Sequence, residues 1–254
     1  MTYENKCLLS SKCKKAGTPQ CGELCFPYIK LHGEKGNGGA LGLAGIPKLF
    51  ANKLMKDLPI EESNPRAFRK LNLYISDLVA QVNEGVGLYL HGTPSETNRK
   101  GCGNGKTTAA AIIINEYIAA RVIQDVKKEA RLDDVPALFM NVSKFQNTFN
   151  SMFRGTLALK DTAAINYYKL KDLMSKVPLL VMDDIGVRDA TEAFKSEFYE
   201  VIDDRNNEML ATIFTSNVPI DDLVTILDDR IASRIEGATI PVSFGGVDHR
   251  KRGI

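Results

Sequence analysis

The sequence predicts an α/β fold with a mostly parallel central sheet. From about residue 46 onward, short runs rich in Val, Ile, Leu or Phe alternate with longer amphipathic stretches. This alternation is typical of strands and helices that follow one another in a parallel sheet covered by helices. A chain of 254 residues can bury one domain-sized core and carry a small appendage.

Short apolar runs are the predicted strands, and the amphipathic stretches between them are the predicted helices. The strands are predicted at residues 85–91, 137–142, 178–183, 211–216 and 239–244. The clearest helical spacing covers residues 107–130, 162–175 and 191–207. The chain has no internal repeat that we can detect.

Composition and charge argue against a membrane protein. They also argue against a strongly basic protein of the kind that binds nucleic acid through its overall charge. The longest apolar stretch is interrupted by Asn115 and Glu116, so no membrane span is predicted. The N-terminus lacks the layout of a secretory signal, which predicts a cytoplasmic protein. A net charge of +2 does not by itself indicate nucleic-acid binding. Short basic clusters at residues 12–15 and 249–252 could contact phosphates or could be solvated.

A glycine-rich loop lies between the first predicted strand and a long predicted helix. It ends Gly101-Cys102-Gly103-Asn104-Gly105-Lys106-Thr107-Thr108, which in this context indicates a phosphate-binding P-loop. Backbone N–H groups would surround a phosphate, Lys106 would bind the β- and γ-phosphates, and Thr107 would bind Mg²⁺. Lys100 replaces the usual first glycine, and residues 93–100 resemble an insertion. ATP and Mg²⁺ are the predicted cofactors.

An apolar run further along the chain ends in two carboxylates. Residues 178–186 read Pro-Leu-Leu-Val-Met-Asp-Asp-Ile-Gly, the form of a Walker B strand. Ligands of open α/β sheets bind at the carboxyl ends of the strands, so Asp183 is a candidate Mg²⁺ ligand. Asp184 is a candidate for polarising the attacking water, and Asp in place of Glu favours slow hydrolysis. Alternatively, the two carboxylates cap a helix.

Polar and basic side chains downstream complete the predicted nucleotide site. Asn217 follows the strand at 211–216 and could contact the γ-phosphate or the attacking water. Arg230 and Arg234 are four residues apart and therefore share one face of a helix. We expect Arg234 to act on the nucleotide of a neighbouring subunit, whereas the alternative is an ion pair on a solvated face.

Most of the cysteines cluster near the N-terminus. In a reducing compartment such clustering indicates a metal rather than disulfides, and a metal would stabilise a segment with few apolar residues. Four of five side chains could form a tetrahedral zinc site: Cys7, Cys13, Cys21, Cys25 and His32. The alternative is free thiols in a partly disordered arm, and the sequence does not choose between Cys7 and His32.

Composition divides the chain into three segments. Residues 1–32 form the predicted cysteine-rich zinc module, and residues 46–254 form the predicted ATPase domain. Residues 33–45 are rich in glycine and are predicted to form a flexible linker.

Together the motifs resemble the DnaC/DnaI-like loaders of replicative helicases from bacteria and phages, a branch of the AAA+ ATPases. The Asp-Asp-Ile-Gly form of the Walker B strand is the most specific feature, and the cysteine-rich segment is similar to the zinc-containing domain of the DnaI side. The resemblance covers most of the chain and rests on residues 45–48, 87–92, 179–186, 215–217 and 230–234.

The resemblance implies an AAA+ fold with slow Mg²⁺-dependent ATPase activity and self-association through the ATP interface. It also implies a hexameric replicative helicase as partner of the N-terminal module and single-stranded DNA as partner of the ATPase domain. Cations and aromatic side chains favour single-strand binding, which suggests Lys144, Phe145, Arg188 and Lys195 as contacts. Because about ten residues follow the last predicted strand, we expect a reduced or absent C-terminal lid.

Two other functions fit the same motifs. A transposition helper of the IstB type has a similar ATPase core but acts with a transposase on duplex DNA, and the cysteine-rich segment argues against it. A nucleotide-switched adaptor with little hydrolysis would suit Asp184 and the altered P-loop.

Overall fold

A computed structural model of the chain describes residues 6–22, 24–94, 98, 101–186, 190–246 and 248. Its centre is a five-stranded parallel sheet with the strand order β2-β3-β4-β1-β5. The prediction of a parallel α/β sheet is therefore confirmed, and each strand lies within two residues of its predicted bounds. The strands are β1 (Gly87–Gly92), β2 (Ala137–Asn141), β3 (Leu179–Ile185), β4 (Ala211–Ser216) and β5 (Thr239–Phe244).

Helices connect the strands and precede the first of them. The α-helices are α1 (Phe26–His32), α2 (Gly39–Leu43), α3 (Pro65–Ser76), α4 (Leu78–Asn83), α5 (Lys106–Val126), α6 (Val142–Ser151), α7 (Leu157–Lys176), α8 (Glu192–Asn207) and α9 (Asp229–Ala238). Shorter 3₁₀ turns lie at Ser10–Lys12, Lys48–Phe50, Met55–Asp57 and Ile220–Thr225. Within the described ranges, no helix has the length and apolar content needed to cross a bilayer.

The sheet separates two apolar cores. Alternate side chains of a strand point to opposite faces, so Leu88 and Leu90 enter one core while Tyr89, between them, enters the other. The first core is built around α5, and the second contains buried residues of α6, α7, α8 and α9. Because helices cover both faces, the central strands are apolar on both sides, which explains why they read as continuous apolar runs.

The N-terminal segment, residues 6–32, packs against α5. Leu8 and Leu31 are buried in the core that α5 shares with the sheet. Two ion pairs hold the segment at the surface of the helix: Lys12 Nζ lies 3.0 Å from Glu116 Oε2, and Lys30 Nζ lies 2.6 Å from an oxygen of Asp125. The segment is thus part of the packed structure, and its division from the rest as a separate domain stays a prediction.

The glycine-rich residues 33–45 correct the expectation of a flexible tether. They contain α2, and Ala44 is fully buried and accepts a 2.7 Å hydrogen bond from the backbone N–H of Phe139 in β2. Gly39 has φ +60°, and a Cβ there would lie 2.7 Å from the carbonyl oxygen of Leu31. This glycine permits a close backbone approach rather than chain mobility.

A buried arginine joins α7 and α8 to the amino-terminal edge of the sheet. Arg205 of α8 is fully buried, and its Nη1 donates 2.8 Å hydrogen bonds to the carbonyls of Met174 and Val177 at the end of α7. Its other nitrogens donate to the carbonyl of Ala211 and the hydroxyl of Thr212 in β4. Burial lowers the pKa of the guanidinium to about 9, so the side chain remains charged at neutral pH.

Replacing this arginine should destabilise the fold strongly. Arg205→Met leaves three buried carbonyl groups without these donors, so we expect the free energy of unfolding to fall by about 3 to 5 kcal/mol. Urea denaturation measures the change. Arg230→Met is the matched control, because the Arg230 side chain is 73% exposed and its ion pair should contribute less than about 1 kcal/mol. Equal losses in the two variants would contradict the role given to Arg205.

Candidate nucleotide-binding site

The predicted P-loop lies between β1 and α5, as the sequence indicates. Its last glycine, Gly105, caps α5 with φ +100°, and a Cβ there would come within 2.9 Å of Ile60. Because α5 begins at Lys106, the unpaired N–H groups of its first turn provide a site for an anion. Lys100, the departure from the usual motif, lies outside the described residues.

Lys106 is held against the loop by hydrogen bonds. Its buried Nζ donates hydrogen bonds to the carbonyl of Gly101, at 2.8 Å, and to the side-chain oxygen of Asn104, at 2.9 Å. Asn104 in turn donates a 2.7 Å hydrogen bond to the carbonyl of Phe244 at the end of β5. A phosphate would replace neutral acceptors of Lys106 by a stronger, charge-assisted hydrogen bond.

A cavity of about 430 Å³ brings most of the predicted site residues together. It is lined by residues 103–108 of the P-loop, by Asp184 near the carboxyl end of the buried strand β3, and by Asn217 after β4. Asp183 does not line the cavity and is buried one residue earlier on β3. The hydroxyl of Tyr89 donates a 2.8 Å hydrogen bond to the carbonyl of Val218 and so fixes the loop that carries Asn217.

Part of the cavity wall comes from the segment between α2 and α3, which the sequence did not predict. Asn115, fully buried in α5, holds it in place by donating hydrogen bonds to the carbonyls of Phe50, at 3.0 Å, and Lys53, at 2.8 Å. The available signal was a polar residue directly after the apolar run of α5. The wall consists of Leu49, Phe50, Lys53 and Pro59.

The groups around the cavity fit a Mg²⁺-nucleotide. The P-loop suits the phosphates of such a ligand, and a mostly apolar wall that includes Lys53 suits its base. The hydroxyl of Thr107 and the carboxylates of Asp183 and Asp184 supply oxygen ligands of the kind that Mg²⁺ prefers. Each residue's role in binding or catalysis stays a prediction.

Arg234 does not line the nucleotide cavity of its own chain. Its Nη2 lies 2.7 Å from Asp203 Oδ1 on α8, and the neighbouring Arg230 lies over the ring of Tyr199, 5.2 Å from its centroid. Both arginines line a separate α8–α9 groove of about 660 Å³. An action on the nucleotide of the same chain is therefore not supported, and action in trans stays a prediction.

The structure does not support the predicted zinc site. The N-terminal cysteines, Cys7, Cys13, Cys21 and Cys25, all line one cavity of about 540 Å³ and are free thiols. Yet across the part of the chain that the structure describes, no group of three or more His, Cys, Asp or Glu side chains could hold a metal ion. Burial, with a smaller contribution from the other thiols, raises the pKa of Cys7 and disfavours its thiolate.

His32 is corrected from a candidate metal ligand to a packed core residue. Its Nε2 accepts a 3.1 Å hydrogen bond from the backbone N–H of Leu8, and its ring stacks on Tyr28 with centroids 4.7 Å apart. The ring nitrogen that a metal would need is thereby occupied. Burial lowers the pKa of His32 to about 4, so the imidazole is neutral at physiological pH.

The predicted DNA contacts are corrected in part. Phe145 is fully buried and stacks on Tyr167, because the apolar face of α6 packs against α7, so it cannot stack on a base. Lys195 is engaged in an ion pair with Glu192 at 2.9 Å, whereas Lys144 is exposed. Arg188 and the basic residues 249–252 lie outside the described residues.

A groove between α6 and α7 contains Lys144, one of the predicted DNA contacts, together with a second cation that the sequence analysis did not select. Its volume is about 600 Å³, and its cations are Lys144 and Arg154, for which no ion pair is found within the described residues. The exposed aromatic Phe153 adjoins Arg154. The groove also contains the amide side chains of Asn147, Asn150 and Asn166.

Several solved structures share the fold of this chain. The chain superposes on DnaI with a TM-score of 0.58 and 23% identity, covering 79% of this chain and 95% of that one. For the DnaC helicase loader the TM-score is 0.53 with 18% identity, covering 78% and 99% of the two chains. AMPPCP-bound DnaA from Aquifex aeolicus gives 0.52 with 18% identity, and the chain spans 51% of that protein.

Sequence comparison supports an ATP-binding domain. The family described as IstB-like ATP binding protein matches residues 145–235, which include the Walker B strand, Asn217 and both arginines. No curated protein sequence matches the chain. The predicted resemblance to DnaC/DnaI-like AAA+ proteins is confirmed by the structural neighbours together with this match.

Substitutions of Lys106 and Asp184 should have different effects: the first should weaken nucleotide binding, and the second should slow hydrolysis. Lys106→Ala removes the ammonium that would bind phosphate, so we expect affinity for a fluorescent ATP analogue to fall by about tenfold to a hundredfold. Asp184→Asn should bind within about threefold of the wild type while turnover falls roughly a hundredfold. Equal loss of affinity in both variants would contradict the roles assigned here.

His32 should make stability depend on pH in the acidic range. Its pKa is lowered from 6.5 in the unfolded chain to about 4 in the folded one, so the unfolded state binds more protons between those values. Its contribution to stability is present above about pH 6.5 and should be lost as the pH falls toward 4. We expect the melting temperature to fall less over this range for His32→Gln, and parallel curves would contradict the assignment.

Proposed function

We propose that this protein is an ATP-dependent loader of a hexameric replicative helicase onto single-stranded DNA in the cytoplasm. The observation that carries the proposal is the AAA+ fold, which aligns with nearly the whole of the DnaI and DnaC chains and carries a P-loop cavity. In this proposal the N-terminal segment binds the helicase. The remainder binds ATP, Mg²⁺ and DNA.

The proposed hydrolysis uses residues from three strand ends. Bound Mg²⁺-ATP would supply the phosphoanhydride that is cleaved. Lys106 would bind the phosphates, Thr107 and Asp183 would hold the metal directly or through water, and Asp184 would polarise the attacking water. Asn217, which lines the cavity after β4, would contact the γ-phosphate. Hydrolysis is slow and acts to time release of the partner.

Self-association would complete the site through Arg234. In the single chain this arginine is paired with Asp203 and is 45% exposed, so a neighbour's phosphates can compete for it. An arginine offered across the ATP interface stabilises the charge of the transition state and makes turnover depend on assembly.

Single-stranded DNA would bind in the α6–α7 groove. Lys144 and Arg154 line the groove and supply two cations. Phe153, next to Arg154 in the chain and 64% exposed, would supply a surface for base stacking beside the groove. The groove begins at α6, which directly follows the carboxyl end of β2. It therefore starts at the same edge of the sheet as the nucleotide cavity.

The helicase would contact the exposed apolar side chains of the N-terminal segment. Leu24 is 94% exposed and Phe26 is 57% exposed, and both line the same cavity as the cysteines. Large exposed apolar side chains around a cavity favour protein contact. The proposal does not depend on zinc.

Two other functions are alternatives to the helicase loader, and each predicts a different response to DNA. The match to the IstB-like family favours an ATPase that assists a transposase on duplex DNA. A nucleotide-switched adaptor is the second, since Asp184 has an unusual backbone φ of +67° and replaces the more common Glu. The loader should respond to single-stranded DNA, the transposition helper to duplex DNA, and the adaptor should show almost no turnover.

Helicase recruitment and loading test the proposal directly. The whole chain serves as bait for host lysate, because its N-terminal segment is packed against α5. We expect ATP-dependent retention of a hexameric replicative helicase, followed by its transfer to a single-stranded circle. Retention of a transposase with a preference for duplex DNA would instead support the alternative.

The matched variants separate recruitment from loading. The double variant Lys144→Ala, Arg154→Ala should retain the helicase yet bind single-stranded DNA more weakly, with a salt slope reduced by about 1.4 for two lost charges. Lys195→Ala is the control, since its ammonium is already paired with Glu192. An unchanged slope in the double variant would remove the groove from the proposal.

A further inference from the structure

The end of β3 contains an extra residue where it pairs with β4. Met182 is opposite Phe214 and Ile185 is opposite Ser216, so two residues of β3, Asp183 and Asp184, occupy the space opposite the single residue Thr215. Such a bulge interrupts the regular ladder of hydrogen bonds and redirects the side chains beside it. Here the redirected side chains are the two Walker B carboxylates.

The hydroxyl of Thr215 spans this bulge. It donates a 2.7 Å hydrogen bond to Asp183 Oδ1, and it accepts a 2.9 Å hydrogen bond from the backbone N–H of Asp184. Thr215 is 1% exposed, so both bonds are shielded from water. One hydroxyl thus contacts the side chain of one carboxylate residue and the backbone of the next.

The backbone of Asp184 depends on such support. Its φ of +67° lies in the left-handed region, which is unfavourable for a residue with a side chain and persists where the surroundings hold it. The hydrogen bond from its N–H to Thr215 supplies one of these restraints and satisfies a donor that the bulge removes from the ladder. The direction of the Asp184 side chain into the cavity follows from this conformation.

We propose that Thr215 is a positioning residue that sets the orientation of Asp183 and Asp184 together. It lies in β4 two residues before Asn217, so the strand that carries the predicted γ-phosphate detector also holds the metal-binding and water-polarising carboxylates. This inference rests on the proposed ATPase function. Asp183 Oδ1 is engaged by Thr215, and Oδ2 lies 3.5 Å from the side-chain amide nitrogen of Asn141.

Three variants test the proposal, each of which changes or keeps a hydroxyl group while the side chain stays similar in size. Thr215→Val keeps the branched shape but removes both hydrogen bonds, and Thr215→Ser retains the hydroxyl. Ser216→Ala is the matched control, because the Ser216 hydroxyl bonds the carbonyl of Ile185 in the same bulge without contacting either carboxylate. Each variant is measured for melting temperature, for affinity toward a fluorescent ATP analogue with Mg²⁺ or with EDTA, and for turnover.

We expect Thr215→Val to weaken Mg²⁺-dependent nucleotide binding by about tenfold, the size of one hydrogen bond to a charged group. Its affinity in EDTA should stay within about twofold of the wild type, because the P-loop is unchanged. Turnover should fall by roughly tenfold to a hundredfold, and Thr215→Ser should recover most of both losses. Ser216→Ala should lower the melting temperature while leaving the Mg²⁺ dependence unchanged.

The proposal is overturned if Thr215→Val and Ser216→Ala lose only thermal stability, or if both change the Mg²⁺ dependence equally. It is also overturned if Thr215→Ser fails to recover binding, since the hydroxyl would then not be the active group. A wild-type chain that binds no nucleotide in either buffer would refute the proposed function itself. That result differs from an effect seen only in the Thr215 variants. It would remove both the proposed ATPase function and the role of Thr215 that rests on it.

Discussion

The parallel pairing of β1, β3 and β4 is the constraint on which the site depends. Because these neighbouring strands run in the same direction, the residues that follow each of them meet at one edge of the sheet. The P-loop, Asp184 and Asn217 come together for this reason, although they are far apart in the chain. Arg205 stabilises the opposite edge by joining α7, α8 and β4 through buried hydrogen bonds.

Helix α5 links the nucleotide cavity to the N-terminal segment. It begins at the P-loop, its Asn115 holds the pocket wall, and the next residue, Glu116, contacts both regions. One oxygen of Glu116 accepts a 3.1 Å hydrogen bond from the backbone N–H of Met55, and the other lies 3.0 Å from Lys12 Nζ. A partner bound at the N-terminal segment and a nucleotide in the cavity would therefore rest on the same helix.

The candidate functions differ in which surfaces they use rather than in the fold. The same fold occurs in DnaI, in the DnaC helicase loader and in DnaA, and its presence alone does not identify a partner. What favours the loader is the combination of a nucleotide cavity, a basic α6–α7 groove and exposed apolar side chains at the N-terminal segment. The α8–α9 groove adds arginines at a second surface, away from the chain's own nucleotide.

The sequence by itself determined the strands, the P-loop and the positions of the carboxylates and Asn217, because these follow from local patterns of apolar and polar residues. Only the tertiary structure decided that His32 and Phe145 are buried, and that the glycine-rich residues 33–45 form a packed turn and helix. It also decided the hydrogen bonds of Asn115, Arg205 and Thr215, which join residues of separate elements. The physical reason is that burial and hydrogen bonding depend on contacts between distant segments, whereas local patterns record only the period and end of each element.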